Sequence, residues 1–116
     1  MKKALEDLVF LGYTDKEVTV LGKTWKLRVL NAEESLDTMK VMKDYDEVLA
    51  RTYAYKIEVL GRAIKEVNGI LIETPEEGLE FVKRLQSSIV NVLFEKYSDL
   101  IKEQTDLLMD KEEIKN

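Results

Sequence analysis

The chain has 116 residues, a formal net charge of −5, and neither cysteine nor histidine. This length suits a single domain, residues 1–116, with a modest core. Without cysteine there are no disulfides or thiolate metal sites, and without histidine the commonest general base is missing. The acidic balance argues against binding to nucleic acid. No apolar run reaches the roughly 20 residues of a membrane helix, and Glu6 and Asp7 interrupt any export signal, so we expect a cytoplasmic protein.

A β-hairpin is predicted at about residues 17–30. Gly22-Lys23 suits a type II′ turn, because glycine stands first in the two-residue loop. The large apolar residues then share one face and the polar ones share the other. The predicted pairs are Val20 with Trp25, Val18 with Leu27, and Glu17 with Arg28. Residues 1–13 precede the hairpin as an arm, helical or extended, that we expect to lie against the hairpin or a partner chain.

Helices are predicted for most of the remaining chain. Asn31 is a good N-cap and Glu34 a capping-box partner, so a first helix begins at Ala32 and runs through Met42. Residues 44–46 either interrupt it or lie within it. A helical period then predicts a second helix with its C-cap at Asn68-Gly69. Its apolar residues are Leu49, Tyr53, Ile57, Leu60, Ile64 and Val67.

The last third of the chain carries a further helix start and a long apolar helix. After a short extended link at residues 70–72, Thr74, Pro75 and Glu77 match an N-cap, first and third position. A final helix follows at about residues 89–109, with a charged tail at 110–116 that we expect to fray. The predicted fold is α+β, mainly α: an N-terminal hairpin followed by a compact bundle of three to four helices.

No catalytic, cofactor-binding or metal-binding residues are predicted. The carboxylate pairs at residues 33–34 and 76–77 lie in first turns of helices, where acids favour the helix dipole, and the pair at 112–113 lies in the tail. Asp44 and Asp46 lack the glycine and spacing of a calcium loop. Gly61 within a helix indicates close approach of another helix rather than a phosphate loop. We therefore do not expect an enzyme.

The final helix is the best indication of a partner. Its apolar arc spans about 200°, twice what a surface helix needs, so its second face is buried either in this domain or by another chain, including a second copy. We predict that this face binds a partner, together with Tyr55 of the second helix. Its residues are Val90, Phe94, Tyr97, Ile101 and Leu108. Trp25, by contrast, is expected to anchor the hairpin in the core.

Residues 11–34, from Leu11-Gly12-Tyr13 through the hairpin to Ala32-Glu33-Glu34, resemble the tail assembly chaperones of long-tailed bacteriophages. A further likeness lies at residues 60–70, where a helix ends in a turn and a short apolar segment. The resemblance implies a non-enzymatic protein, largely helical with an N-terminal hairpin, that binds the tape measure protein and keeps it soluble during tail assembly. It also implies that a longer frameshifted form can exist.

Two other functions stay open from the sequence. One is a structural phage component, such as a baseplate or head–tail connector subunit. The other is an unrelated bacterial protein-interaction module. All three functions depend on protein partners, or on a homo-oligomer, and none requires a cofactor, nucleic acid or a membrane.

Overall fold

The computed structural model describes residues 15–115, and the side chains of residues 15–109. Its strands and helices are β1 (Asp15–Val20), β2 (Lys23–Arg28), α1 (Ala32–Met42), α2 (Val48–Ala63), β3 (Ile64–Val67), β4 (Ile70–Leu71), α3 (Pro75–Lys83) and α4 (Ser87–Lys115). The strands form one antiparallel sheet in the order β1-β2-β3-β4. The predicted class, α+β and mainly α with an N-terminal hairpin, is confirmed. The predicted arm at residues 1–13 lies outside the described residues.

The first hairpin turns one position earlier than predicted. Its loop is Leu21-Gly22, with φ angles of 56° and 68°. Two successive left-handed residues are typical of a type I′ turn, so the predicted type II′ turn at Gly22-Lys23 is wrong. Val18, rather than Val20, lies opposite Trp25. Because side chains alternate with a period of two, this two-residue change of register leaves every side chain on its predicted face.

The apolar face of this hairpin enters the core, as predicted. Trp25 is 4% exposed and Leu27 is fully buried. The indole N–H of Trp25 donates a hydrogen bond to the Val20 carbonyl oxygen at 3.1 Å. The indole ring also packs against Phe81 of α3, with ring centroids 5.9 Å apart. Trp25 thus joins the sheet to a helix with its polar N–H satisfied.

The polar face carries ion pairs that follow the observed register. Arg28 lies opposite Asp15, with Nε 2.7 Å from Oδ1, so the predicted Glu17–Arg28 pair is wrong. The Arg28 guanidinium hydrogen-bonds the Asp15 carboxyl and lowers its pKa. Lys26 Nζ lies 3.1 Å from Glu66 Oε2 of β3. This second pair links the two hairpins across the sheet.

A second hairpin replaces the end of the predicted second helix. α2 ends at Ala63, and Ile64–Val67 forms β3, so the prediction that Ile64 and Val67 continue the helix is wrong. Asn68 and Gly69 have φ angles of 53° and 86°. These angles fit a hairpin turn as well as the predicted helix C-cap. β3 pairs with β2, which is distant in sequence, and this pairing stabilises a strand here instead of a further helical turn.

The helix starts follow the predicted local signals. Asn31 caps α1 by accepting the Glu34 amide at 2.8 Å, and the Glu34 side chain accepts the Asn31 amide, which completes a capping box. Thr74 accepts the Glu77 amide at 3.1 Å, with Pro75 at the first turn of α3. α1 ends at Met42, so the stretch at residues 44–46 interrupts the helix.

The core lies between the sheet and helices α2, α3 and α4. α3 crosses α2 at two glycines, Gly61 and Gly78, as predicted for Gly61. A Cβ on Gly78 would overlap the Gly61 carbonyl oxygen, and a Cβ on Gly61 would lie 2.6 Å from Leu79 Cδ2. The buried cluster consists of Val20, Trp25, Leu27, Val59, Leu60, Ala63, Ile64, Val82, Val90, Leu93, Tyr97 and Leu100.

α4 is the longest element, and its 29 residues rise about 43 Å. Its middle contacts the first hairpin, where Lys16 Nζ lies 2.6 Å from a Glu103 carboxylate oxygen. No described helix, α4 included, is long and apolar enough to cross a membrane. The backbone of α4 is described to Lys115, and the expected fraying of residues 110–116 stays a prediction.

Tyr97 ties α4 to the segment between β2 and α1. It is 4% exposed, and its hydroxyl oxygen accepts the Leu30 amide at 3.2 Å. Burial raises the pKa of Tyr97 above its ordinary value of 10.0, against the opposing effect of the Leu30 hydrogen bond.

We expect Gly78→Ala to lower the free energy of unfolding by more than about 2 kcal/mol, because the new methyl would force the α2 and α3 backbones apart. Helix propensity alone would favour alanine by about 1 kcal/mol. Urea unfolding measures the change. Glu76→Ala, at an exposed site in the same helix, should change the free energy by less than about 0.5 kcal/mol. A Gly78→Ala protein as stable as the original would contradict the close contact.

We expect Tyr97→Phe to cost about 1–2 kcal/mol at pH 7, because the Leu30 amide loses its acceptor. Since the folded-state pKa of Tyr97 is raised, the unfolded chain loses this proton first. The stability of the original protein should therefore fall as pH rises above 10.0, and that of the variant should fall less steeply. Urea unfolding between pH 8 and 11 measures both slopes, and equal slopes would contradict the assignment.

Candidate partner-binding site

One member of each described carboxylate pair, Glu34 or Glu77, accepts a backbone amide at the start of a helix. Glu34 completes the α1 capping box, and its carboxylate also lies 3.7 Å from Lys65 Nζ. Glu77 accepts the Glu73 amide at 2.9 Å, just before α3. Among the described residues no three carboxylates come together to hold a metal ion. Glu112 and Glu113 fall among the residues whose side chains are not described.

The charged side chains inside α2 are paired with each other. Glu58 is 6% exposed, and Arg62 donates hydrogen bonds to its carboxylate at 3.0 Å and to its carbonyl oxygen at 2.9 Å. Arg62 follows Gly61, which is occupied by the contact with α3. These contacts support a structural role for Gly61 and Arg62, in preference to phosphate binding.

The predicted partner-binding face of α4 is divided between core and surface. Val90 is 1% exposed and Tyr97 4%, so both belong to the protein's own core, which corrects their prediction as partner-binding residues. The width of the apolar arc explains this correction. Part of it packs on the domain, and the sequence could not tell which part.

The other four predicted residues reach the surface. Phe94 is half-buried, and its ring meets Tyr55 edge to face with centroids 6.0 Å apart. The exposed fractions of Tyr55, Ile101 and Leu108 are 44%, 39% and 52%. Their role in binding a partner stays a prediction.

Tyr55 and Phe94 form part of a larger apolar depression between α1, α2 and α4, which we call the methionine groove. Its volume is about 600 Å³. It is lined by Met39, Met42, Lys43, Arg51, Thr52, Tyr55, Lys56 and Phe94. The two methionines stand one turn apart on α1, and Met39 is 64% exposed. The groove brings two predicted partner residues together with six that the sequence analysis did not select.

The rim of the methionine groove is cationic. Lys43, Arg51 and Lys56 contribute three positive charges, and no lining residue is acidic. Lys56 Nζ lies 5.8 Å from the centre of the Phe94 ring and 3.0 Å from Asn91 Oδ1, so it is held over the aromatic wall. In a protein of net charge −5, such a rim favours a ligand with acidic flanks.

Chemically, this surface is suited to an amphipathic helix. Methionine side chains are flexible and polarisable, so they adapt to different apolar shapes. A partner helix would place apolar residues at three- and four-residue steps into the groove and direct acidic residues to its rim. A sequence signal for the groove existed in the methionine pair and neighbouring lysines of the first helix.

A second apolar depression lies at the ends of the two hairpins, beside α3, and we call it the hairpin-end groove. Its volume is about 760 Å³. Leu21, Ile70 and Leu71 are 71%, 73% and 64% exposed there. Glu77, Glu80, Lys23 and Arg84 give it mixed charge. The charged residues of the hairpin-end groove are therefore of both signs, whereas those of the methionine groove are all cationic.

Comparisons with known proteins assign no family. No family model matches the chain, and no solved structure matches it. The chain is 25% identical over 96 residues to mouse receptor-transporting protein 4, an alignment that covers 83% of this chain. It spans 39% of the length of that curated relative. This likeness shows neither a family nor an activity for the protein.

Proposed function

We propose that this protein is a non-enzymatic tail assembly chaperone of a long-tailed bacteriophage, which binds the tape measure protein and keeps it soluble. The observation that carries the proposal is the methionine groove, an apolar surface with a cationic rim beside the exposed apolar side chains of α4. The groove supports binding of a helix, and the resemblance in residues 11–34 supplies the identity of the partner.

A tape measure protein is long and helical, so it offers many apolar stripes of differing sequence. A groove with adaptable walls can cover any of several such stripes, whereas a rigid pocket would select one. Met39 and Met42 provide the adaptable walls, and Tyr55 with Phe94 provides a firmer aromatic side. The proposed chaperone therefore recognises a pattern of apolar residues rather than a single sequence.

Apolar contact supplies most of the affinity in this account. Burying one exposed methionine or leucine side chain yields about 1.5–3 kcal/mol, whereas an exposed ion pair yields about 0–1 kcal/mol. The cations at the rim therefore orient the helix and favour acidic flanks. A contact that buries only a few such side chains is reversible. A chaperone needs this reversibility, because tail-tube subunits replace it on the tape measure protein.

We expect Met39→Asp to weaken binding of the tape measure protein at least tenfold without unfolding the chaperone. The carboxylate would disrupt the apolar groove and pair with its rim cations, while an exposed side chain contributes little to the fold. Co-expression of both proteins, followed by measurement of soluble tape measure protein and of affinity, tests this. Ile70→Asp, 73% exposed in the hairpin-end groove, is the matched control and should bind normally. If both variants bound the tape measure protein equally well, or lost binding equally, the assignment of binding to the methionine groove would be contradicted.

A chaperone leaves the particle once the tail is complete. We therefore expect mass spectrometry of purified particles to detect tail-tube and tape measure peptides but none from this protein. A constant copy number per particle would instead indicate a baseplate or head–tail connector subunit. Capture of a host protein from uninfected cells, with no phage partner, would indicate a bacterial interaction module.

A further inference from the structure

The side of α4 that enters the core continues past the body of the domain. Leu93, Tyr97 and Leu100 follow one another at steps of four and three residues, and none is more than 4% exposed. Leu107 lies seven residues beyond Leu100, on the same side of the helix, yet it is 63% exposed. The inward side of α4 therefore loses its cover between residues 100 and 107.

The cover ends where the first hairpin ends, because β1 runs antiparallel to α4. Leu21, just after β1, lines the hairpin-end groove together with Ile89, near the start of α4. At the other end of β1, Lys16 Nζ lies 2.6 Å from a Glu103 carboxylate oxygen. The chain that precedes Asp15 therefore joins β1 at the point where the uncovered part of α4 begins.

The sequence before β1 is apolar enough to supply the missing cover. Residues 8–11 are four consecutive apolar residues. The large apolar residues before Asp15 are Leu5, Leu8, Val9, Phe10, Leu11 and Tyr13. Leu107 lies about 6 Å along α4 from Glu103. Fourteen residues span about 21 Å as a helix and about 46 Å when extended, so either conformation is long enough to reach Leu107.

We infer that residues 1–14 bind to α4 beside Leu107, in line with β1. The segment is attached to the domain at the edge of this surface, so its effective concentration there is on the order of millimolar. At that concentration, contact through a few apolar side chains is enough to hold it. A separate protein at this position would first have to displace a segment that is already attached beside it.

The consequence concerns the other side of α4. Ile101 and Leu108 lie on the row of Phe94, which lines the methionine groove, about 100–120° round the helix from Leu107. Residues 1–14 therefore leave this row open, and a client helix meets α4 from the side of the methionine groove. That consequence rests on the proposed function. The contact with Leu107 does not, and both tests use the purified full chain alone.

Thiol labelling of Leu107→Cys tests the cover, because the chain has no cysteine of its own. We expect the introduced thiol to react at least fivefold faster when Val9→Asn, Phe10→Asn and Leu11→Asn are combined with it. Asparagine is neutral, so the change removes apolar contact without altering the charge near the thiol.

Two controls separate this contact from general effects. Lys2→Asn, Lys3→Asn and Glu6→Asn together change as many residues of the segment and should leave the rate at Leu107→Cys unchanged. Met109→Cys, 56% exposed and about 160° round the helix from residue 107, should react at the same rate with each form of the segment. Equal rates at residue 107 for all three forms of the segment would overturn the inference.

Paramagnetic broadening provides a second measurement, with Leu107 intact. A nitroxide on Glu6→Cys should broaden the amide signals of residues 104–109, and at least threefold less when residues 9–11 are asparagine. Broadening that is the same for both forms of the segment would overturn the inference. Broadening of isotope-labelled chains by separate spin-labelled chains would overturn it too, because the segment would then bind a second copy.

Discussion

The fold depends on the close contact between α2 and α3 at Gly61 and Gly78. Only hydrogen atoms at these positions let one backbone approach the other so closely. α2 also continues into β3 without a loop, so its orientation fixes where the second hairpin meets the first. With α3 held on one side of α2, Tyr55, about 120° round the helix from Gly61, is turned toward α1 and α4. The methionine groove therefore lies on a different side of α2 from the contact with α3.

The apolar residues of this protein divide into two groups with different roles. One group fills the core between the sheet, α2, α3 and α4. The other group lies on α1 and on residues 101–109 of α4, where exposed apolar side chains contribute little to stability. α1 buries only Thr38, and its capping box rather than its apolar stripe fixes where it begins. Because Met39 and Leu108 are exposed, their burial remains available to a partner, at about 1.5–3 kcal/mol for each side chain.

Local signals in the sequence predicted most of the local structure, except the turn of the first hairpin. The caps at Asn31 and Thr74 and the faces of the first hairpin depend on neighbouring residues, and the structure has them as predicted. Features that depend on distant contacts were missed. Ile64 suits a helix by its spacing but pairs with β2 in the sheet. Tyr97 and Val90 lie on the same apolar arc as Ile101, yet only packing decides which residues stay exposed. The methionine groove combines three helices, so no single stretch of sequence contained it.

Amide hydrogen exchange, with and without the tape measure protein of the same phage, tests the central claim most directly. α1 and residues 101–109 of α4 have few buried side chains, so their amides should open readily in the free protein. The account predicts that the partner slows exchange at residues 36–56 and 90–109 and leaves the hairpin ends near residues 21 and 70 unchanged. Protection confined to the hairpin ends, or no protection at saturating partner, would contradict it.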